Sequence, residues 1–426
     1  MKEIPKKEKA LLIFIFLLSL ILRITIILLV GNYNHPSTWE NGIIADNIVA
    51  GKGFSIGFLG PESTSSWQAP FYPYFLASFY FFLGKGTISF LLIQLIQAIL
   101  SSLVPILIYK AAKILFDRQV SVISAIALAV FPLLGWYSTR IHHAIFIFFF
   151  IALAFYLSLK AYRSEKNVNY ALAGIIYGIG ALIEPVMTVI FFAFFLWSSL
   201  KKGLRLAVKK YSILLTVFIL ILLPWTIRNY SVHGKLIFIK SSFGKEFWMG
   251  NNPHATGTGF VVGGQYEITY YFPPPFYDQL MNVSEVERNR MFLEEGLKWI
   301  KENPVDFLIV TGKKIIYFWW YPPISIVRQF EDSESVKFNL LKKAYWAPFL
   351  FFLLIGFLVA KKNKNEYLIL ILLICSFYTM VYSLTHVGQQ RFRGVIEPIL
   401  LPFAVSGFLY IYALAKSSWR KMLGKV

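Results

Sequence analysis

The run Ala10–Val30, ALLIFIFLLSLILRITIILLV, decides the fold class. It follows a basic start at Lys2, Lys6, Lys7 and Lys9, and it is long and apolar enough to cross a hydrocarbon core as one helix. A secretory leader has a shorter apolar stretch and a small-residue cleavage site, and Gly31-Asn32-Tyr33-Asn34 offers none. The run is therefore expected to be a retained first span. Nine further runs of the same kind lie at 87–109, 119–137, 143–160, 169–183, 185–200, 211–225, 344–360, 366–385 and 395–415.

Composition agrees. Hydrophobic residues make up 57% of the 426, and charged residues only 15%, against about a quarter in a soluble domain. Soluble classes are excluded. The net charge of +20 does not point to nucleic acid, because Lys and Arg cluster in short segments between apolar runs, with no basic helix interleaved with aromatics. Alternate connections are basic: Lys110, Lys113 and Arg118; Lys160, Arg163 and Lys166; Lys201, Lys202, Arg205, Lys209 and Lys210; Lys361, Lys362 and Lys364; then Lys416, Arg420, Lys421 and Lys425. With the N-terminus they fall on one side if all ten runs span, which puts both termini in the cytoplasm of a plasma-membrane protein. The single cysteine, Cys375, lies inside an apolar run and can build neither a disulfide nor a thiolate metal site alone.

The expected architecture is an all-α polytopic membrane bundle of about ten helices with a mixed α/β extracytoplasmic domain. Residues 1–225 form a first membrane region with an outer loop at 31–86, residues 226–343 the outer domain, and residues 344–426 a second membrane region. The outer domain is expected to hold a strand at Leu236–Lys240, a glycine-rich loop through Gly257–Gly264, a proline-rich turn at Pro273–Pro275, and a helix from Ser284 to Lys301. The segment 72–83 is too short to span and reads as interfacial or re-entrant. Pro304–Tyr321 reads as a helix along the membrane surface, with an eleventh span as the alternative.

Charge near a membrane is costly unless it is paired or used, so ionisable groups at the outer ends of the spans are the candidates for function. Glu40 opens the first outer helix and suits a general base, or simply a carboxylate at a helix N-terminus. Arg391 and Arg393 suit a phosphate, or snorkel to headgroups, and Glu397 is placed to pair with one of them. Arg228 and Asn229, after Pro224-Trp225, either hold a phosphate or anchor the interface. Glu184, before Pro185, is expected to pair with an arginine or with substrate. His142 and His143 point to different faces of a helix and do not make a two-histidine metal site. Asp46, His143, His386, Asn251 and Asn252 complete the candidate pocket, and no metal is predicted.

Four segments, in order, resemble the polyprenyl-phosphate-sugar-dependent membrane glycosyltransferases, of GT-C type: the protein O-mannosyltransferase and lipid A aminoarabinose transferase superfamily, in its prokaryotic branch. They are Glu40 with Ala45-Asp46-Asn47-Ile48-Val49-Ala50-Gly51-Lys52-Gly53-Phe54; Ala69-Pro70-Phe71-Tyr72-Pro73; Leu223-Pro224-Trp225-Thr226-Ile227-Arg228-Asn229-Tyr230 with Gly244 and Gly250-Asn251-Asn252-Pro253; and His386 with Arg391-Phe392-Arg393 and Glu397-Pro398. The resemblance implies a polyprenyl-phosphate sugar as donor and an inverting transfer to a protein, lipid or glycan acceptor. In it Glu40 would be the base, Arg391 and Arg393 would hold the leaving phosphate, and Arg228 would be a further phosphate candidate. The chain departs from the pattern at Trp39, where the protein mannosyltransferases carry Asp. It also lacks an acidic residue near His143, and it has Glu184 where many relatives have Arg. A lipid-linked saccharide transporter and a non-catalytic assembly subunit are the competing classes. The scarcity of polar groups in the spans, with Gln94 and Gln97 the chief pair, disfavours transport.

Overall fold

The computed structural model describes residues 5–57, 63–259, 276–321 and 333–423. Among the described residues eight helices are long and apolar enough to cross a membrane: Lys6–Val30, Thr87–Leu115, Ala144–Ser164, Pro185–Lys202, Leu204–His233, Lys342–Lys362, Leu368–Thr385 and Glu397–Ser417. The helices Arg118–Ala129 and Pro132–Ser138, bent by 40° at the break between them, together have the length and apolarity of a ninth span. The run expected at 169–183 forms the helix Asn167–Ala181, whose 15 residues are fewer than a straight crossing needs. The chain is an integral membrane protein, and a helix stands at each of the ten expected places.

Local chemistry explains the boundaries. Asp117 caps its helix by accepting from the Val120 N–H at 2.9 Å. Proline at 132 holds Phe131 extended, which breaks the span and strips carbonyls of their helical donors. The buried Arg23 supplies the replacements: its guanidinium donates to Ala129 O at 2.7 Å, Leu128 O at 3.2 Å and Ser101 Oγ at 2.6 Å. Within the bundle, Ala144–Ser164 is central and packs on Thr87–Leu115 and Asn167–Ala181. The helices Ser333–Lys362 and Glu397–Leu423 cross closely enough that a Cβ on Gly356 would lie 1.9 Å from Phe403 O. Association without a hydrophobic driving force relies on such small residues.

The spans leave a loop-rich face where Lys6–Val30 ends. It carries the helix Trp39–Val49, the two-residue antiparallel pair Ser55–Ile56 and Ser63–Thr64, and the apolar helix Phe71–Leu83. It also carries the helices Phe243–Gly250, Phe276–Met281, Glu285–Glu302 and Pro304–Trp319. Ser284 caps Glu285–Glu302 as expected.

The strand expected at Leu236–Lys240 is not formed. The helix Leu204–His233 runs eight residues past Trp225, and the chain doubles back along it. Asn229 Nδ2 then donates to Ile237 O and Ile239 O, Trp225 Nε1 to Ile239 O, and Thr226 Oγ1 to Phe238 O. With its carbonyls taken by side chains the segment needs no strand partner. The described part of 226–343 is helix and loop rather than mixed α/β. The turn at Pro273–Pro275 and the glycine-rich loop beyond Gly259 lie outside the described residues.

Candidate active site

Glu40 lies in the first turn of Trp39–Val49, and that turn is fixed by two unusual features. Gly42 leaves room for Thr38, whose Oγ1 would stand 2.0 Å from any Cβ there. Trp39 adopts φ +46°, a left-handed conformation that bulky residues rarely occupy outside sites that impose it. Glu40 is half-buried, and no hydrogen bond or ion pair to its carboxylate is found among the described residues.

Around it stands a cluster of charges. Lys240 Nζ reaches both oxygens of Glu184, at 3.0 and 3.2 Å, and Glu184 lies 3.9 Å from His143 Nε2. Burial opposes the charge on Lys240, but Glu184, Glu246 and Glu40 outweigh it and hold the ammonium above its ordinary range. Lys245 is buried against the Trp67 ring, 5.6 Å from its centroid. There burial, with Lys240 and Arg391, pushes it down despite Glu246 and Glu40. Glu246, on the same helix, would be raised by burial, yet Lys245, His386, Lys240 and Arg391 bring it below the usual carboxylate range. The charges of Glu40 and Arg391 are therefore both felt at Lys245. His386 is pushed down to about 4, first by burial and then by Lys240 and Lys314, so it is neutral at physiological pH.

The three arginines separate. Arg391 is exposed, its guanidinium 4.9 Å from the Phe392 centroid. Arg393 is 1% exposed: its Nε donates to Glu397 Oε1 at 3.0 Å, its Nη1 to Phe318 O at 2.7 Å, and its plane stacks 3.4 Å from the Trp346 centroid. Arg228 donates to Ser65 O at 2.6 Å and Phe54 O at 3.2 Å, and lies over Trp225. It also lines an apolar groove of roughly 590 Å³ formed by Pro70, Phe71, Tyr74, Phe75, Leu182, Ile221, Pro224 and Trp225.

The remaining candidates lie apart from the charge cluster or brace it. Asp46 pairs with Lys85 on the surface. Asn252 closes its own turn, donating to Trp248 O and accepting from His254 N–H. Asn251 donates to Phe247 O and Leu384 O and accepts from the buried Lys314 at 3.0 Å, tying three elements together. Sequence reasoning missed Lys240, Lys245, Glu246 and Lys314. A Lys-Glu pair set between Phe243 and Phe247-Trp248 was the available signal. Arg23, a charge inside the first apolar run, was equally visible.

Residues 67–227 match the profile of dolichyl-phosphate-mannose-protein mannosyltransferases. Among solved structures, the chain is similar to the Archaeoglobus fulgidus oligosaccharyltransferase in complex with Zn and sulfate (TM-score 0.52, 18% identity, 95% of this chain and 49% of that one). It is also similar to the archaeal oligosaccharyltransferase AglB from Archaeoglobus fulgidus in complex with an inhibitory peptide and a dolichol-phosphate (TM-score 0.52, 16% identity, 98% and 51%). The chain thus spans about half the length of these proteins. No curated protein sequence matches it.

The fold is that of the GT-C membrane glycosyltransferases. One of the structural relatives was solved with zinc. Among the described residues no three His, Cys, Asp or Glu side chains come together, and Lys240 already occupies Glu184.

Proposed function

We propose that this protein transfers a monosaccharide from a polyprenyl-phosphate donor to an acceptor hydroxyl on the extracytoplasmic side of the plasma membrane, with inversion. The observation that carries the reading is the placing of Glu40, a carboxylate with no partner among the described residues, beside a cluster of lysine and arginine charges at the loop-rich face. The apolar groove beside Phe71 and Trp225 suits the first isoprene units of the donor, with Arg228 at its polar end. The basic connections between alternate spans support a cytoplasmic position for the opposite face.

In the reaction the acceptor oxygen bonds to the anomeric carbon as the bond from that carbon to the phosphate oxygen breaks. The acceptor proton goes to Glu40 and the electron pair leaves with the phosphate. Arg391, with Lys245 behind it, stabilises the departing charge, which is where preorganised cations contribute most. Arg393 supports this loop from beneath through its pair with Glu397. His143, Glu184 and His386 border the cluster, and Asn251 fixes its back wall.

Glu40→Gln tests the assignment. In nanodiscs with polyprenyl-phosphate sugars, turnover should fall roughly 10²–10⁴-fold while donor binding is retained, as expected for loss of a general base. A variant that turns over like the wild type would refute Glu40 as the base. A wild-type protein that only moves lipid-linked saccharide across the bilayer would establish the transporter class instead.

A further inference from the structure

The residue before Glu40 is the least explained side chain at this face. Trp39 is 49% exposed although its backbone is held in a conformation that tryptophan avoids. One side of the indole meets the edge of His142, with centroids 5.7 Å apart at 86°. His142 stacks on His143 at 4.3 Å and lies 6.2 Å from Tyr137, and His143 reaches Glu184. The wall that continues from Glu40 is therefore an open indole followed by two imidazoles and a carboxylate.

We propose that this wall is the acceptor subsite and that the acceptor is a carbohydrate, its ring lying on the free side of Trp39 with the attacked hydroxyl facing Glu40. A pyranose has apolar C–H faces and a rim of hydroxyls, and it needs a flat aromatic platform edged by small hydrogen-bonding groups. The imidazoles suit that rim because both are uncharged: burial, then neighbouring charges, push His142 well below its ordinary value and His143 to about 3. His142 Nδ1 accepts from the Ala144 N–H at 3.1 Å, which leaves its Nε2–H to donate. The cations beside this wall are Lys240, already held by Glu184 at 3.0 Å, and Arg391, which the transfer reading assigns to the donor phosphate.

The inference rests on the transfer reading, and the test separates the two. The full chain in nanodiscs is given polyprenyl-phosphate [³H]mannose or [³H]glucose together with cell-envelope acceptors, and label is followed into glycan, glycolipid and protein fractions. Label should enter protease-resistant material and, unlike the label of unreacted donor, should stay bound through mild acid. Trp39→Gly suits the left-handed backbone and so should fold. It should lower transfer roughly tenfold through the acceptor KM with donor binding unchanged, and Trp39→Phe should keep most activity. Label confined to protease-sensitive product, or a Trp39→Gly variant with the wild-type acceptor KM, overturns the carbohydrate subsite. No label leaving the donor with the wild-type protein overturns the transfer reading itself, and the subsite with it.

Discussion

Of the two arginines in Arg391-Phe392-Arg393, only the second is locked, and that makes a quantitative prediction. Arg393 and Glu397 are each 1% exposed, bonded to one another, and closed over by Trp346 and the Phe318 carbonyl. Removing one member of such a pair strands a buried charge, at about 3–5 kcal/mol, whereas replacing both by apolar groups of similar volume is close to neutral. At roughly 2 °C per kcal/mol for a chain of this size, Arg393→Met should lower the melting temperature by about 6–10 °C. Arg393→Met with Glu397→Leu should recover most of it. The protein carries its own reporter. Cys375 is the single thiol and is buried in Leu368–Thr385, so a thiol-reactive dye in detergent follows unfolding directly. If Arg393→Met instead kept the wild-type melting temperature and lost donor affinity, Arg393 would be a phosphate ligand and the division of labour with Arg391 would be wrong.

Two further outcomes follow from the packing. Lys314 is 0% exposed with one amide oxygen as partner, and burial pushes it down to about 7. Between pH 7 and 10 the unfolded chain then binds the extra proton, so Lys314 makes stability rise with pH across that window and contributes a flat penalty below it. Lys314→Met should remove this slope, and melting curves of wild type and variant that stay parallel from pH 7 to 9.5 would contradict it. Gly356→Ala adds a Cβ against Phe403 O, where backbone rather than a flexible side chain must yield. A loss of about 1–3 kcal/mol is expected, read as a drop of a few degrees in the same thiol assay.

The bundle was legible because membrane spans are written in length and apolarity, which survive without tertiary information. The failures have physical causes. Leu236–Lys240 has the alternation of a strand, but the hydrogen bonds it needs come from Trp225, Thr226 and Asn229 in the preceding helix, a tertiary match that no local pattern encodes. The same bonds explain why the motif around Pro224 ends in Arg228 and Asn229: the arginine staples the first loop through Ser65 and Phe54, while the amide holds the returning chain. Arg391 and Arg393 are chemically identical in sequence, and only the position of Glu397 one helical turn on distinguishes the buried one. Lys245 and Glu246 are two adjacent opposite charges, a pattern that a solvated helix face also carries, whereas here Lys245 is turned inward.

The charge balance of the cluster gives the proposed reaction its last constraint. Among the described residues three carboxylates (Glu40, Glu184 and Glu246) stand with three cations (Lys240, Lys245 and Arg391), so the charges of this cluster balance. A sugar phosphodiester brings one negative charge, and it gains about one more as the sugar departs. If Glu40 takes the acceptor proton in the same step, one carboxylate charge vanishes as the phosphate charge appears. The total in the site then stays constant. Coulomb energies there are several-fold larger than in water, so a step that conserves local charge avoids a substantial barrier. Glu40→Gln puts the site permanently in the charge state of the product complex: it should bind the polyprenyl monophosphate product more tightly than the wild type does, even as turnover collapses. Equilibrium binding of polyprenyl phosphate to the two proteins measures this directly, and a variant that binds the product more weakly would show that Glu40 holds a substrate group instead of accepting its proton.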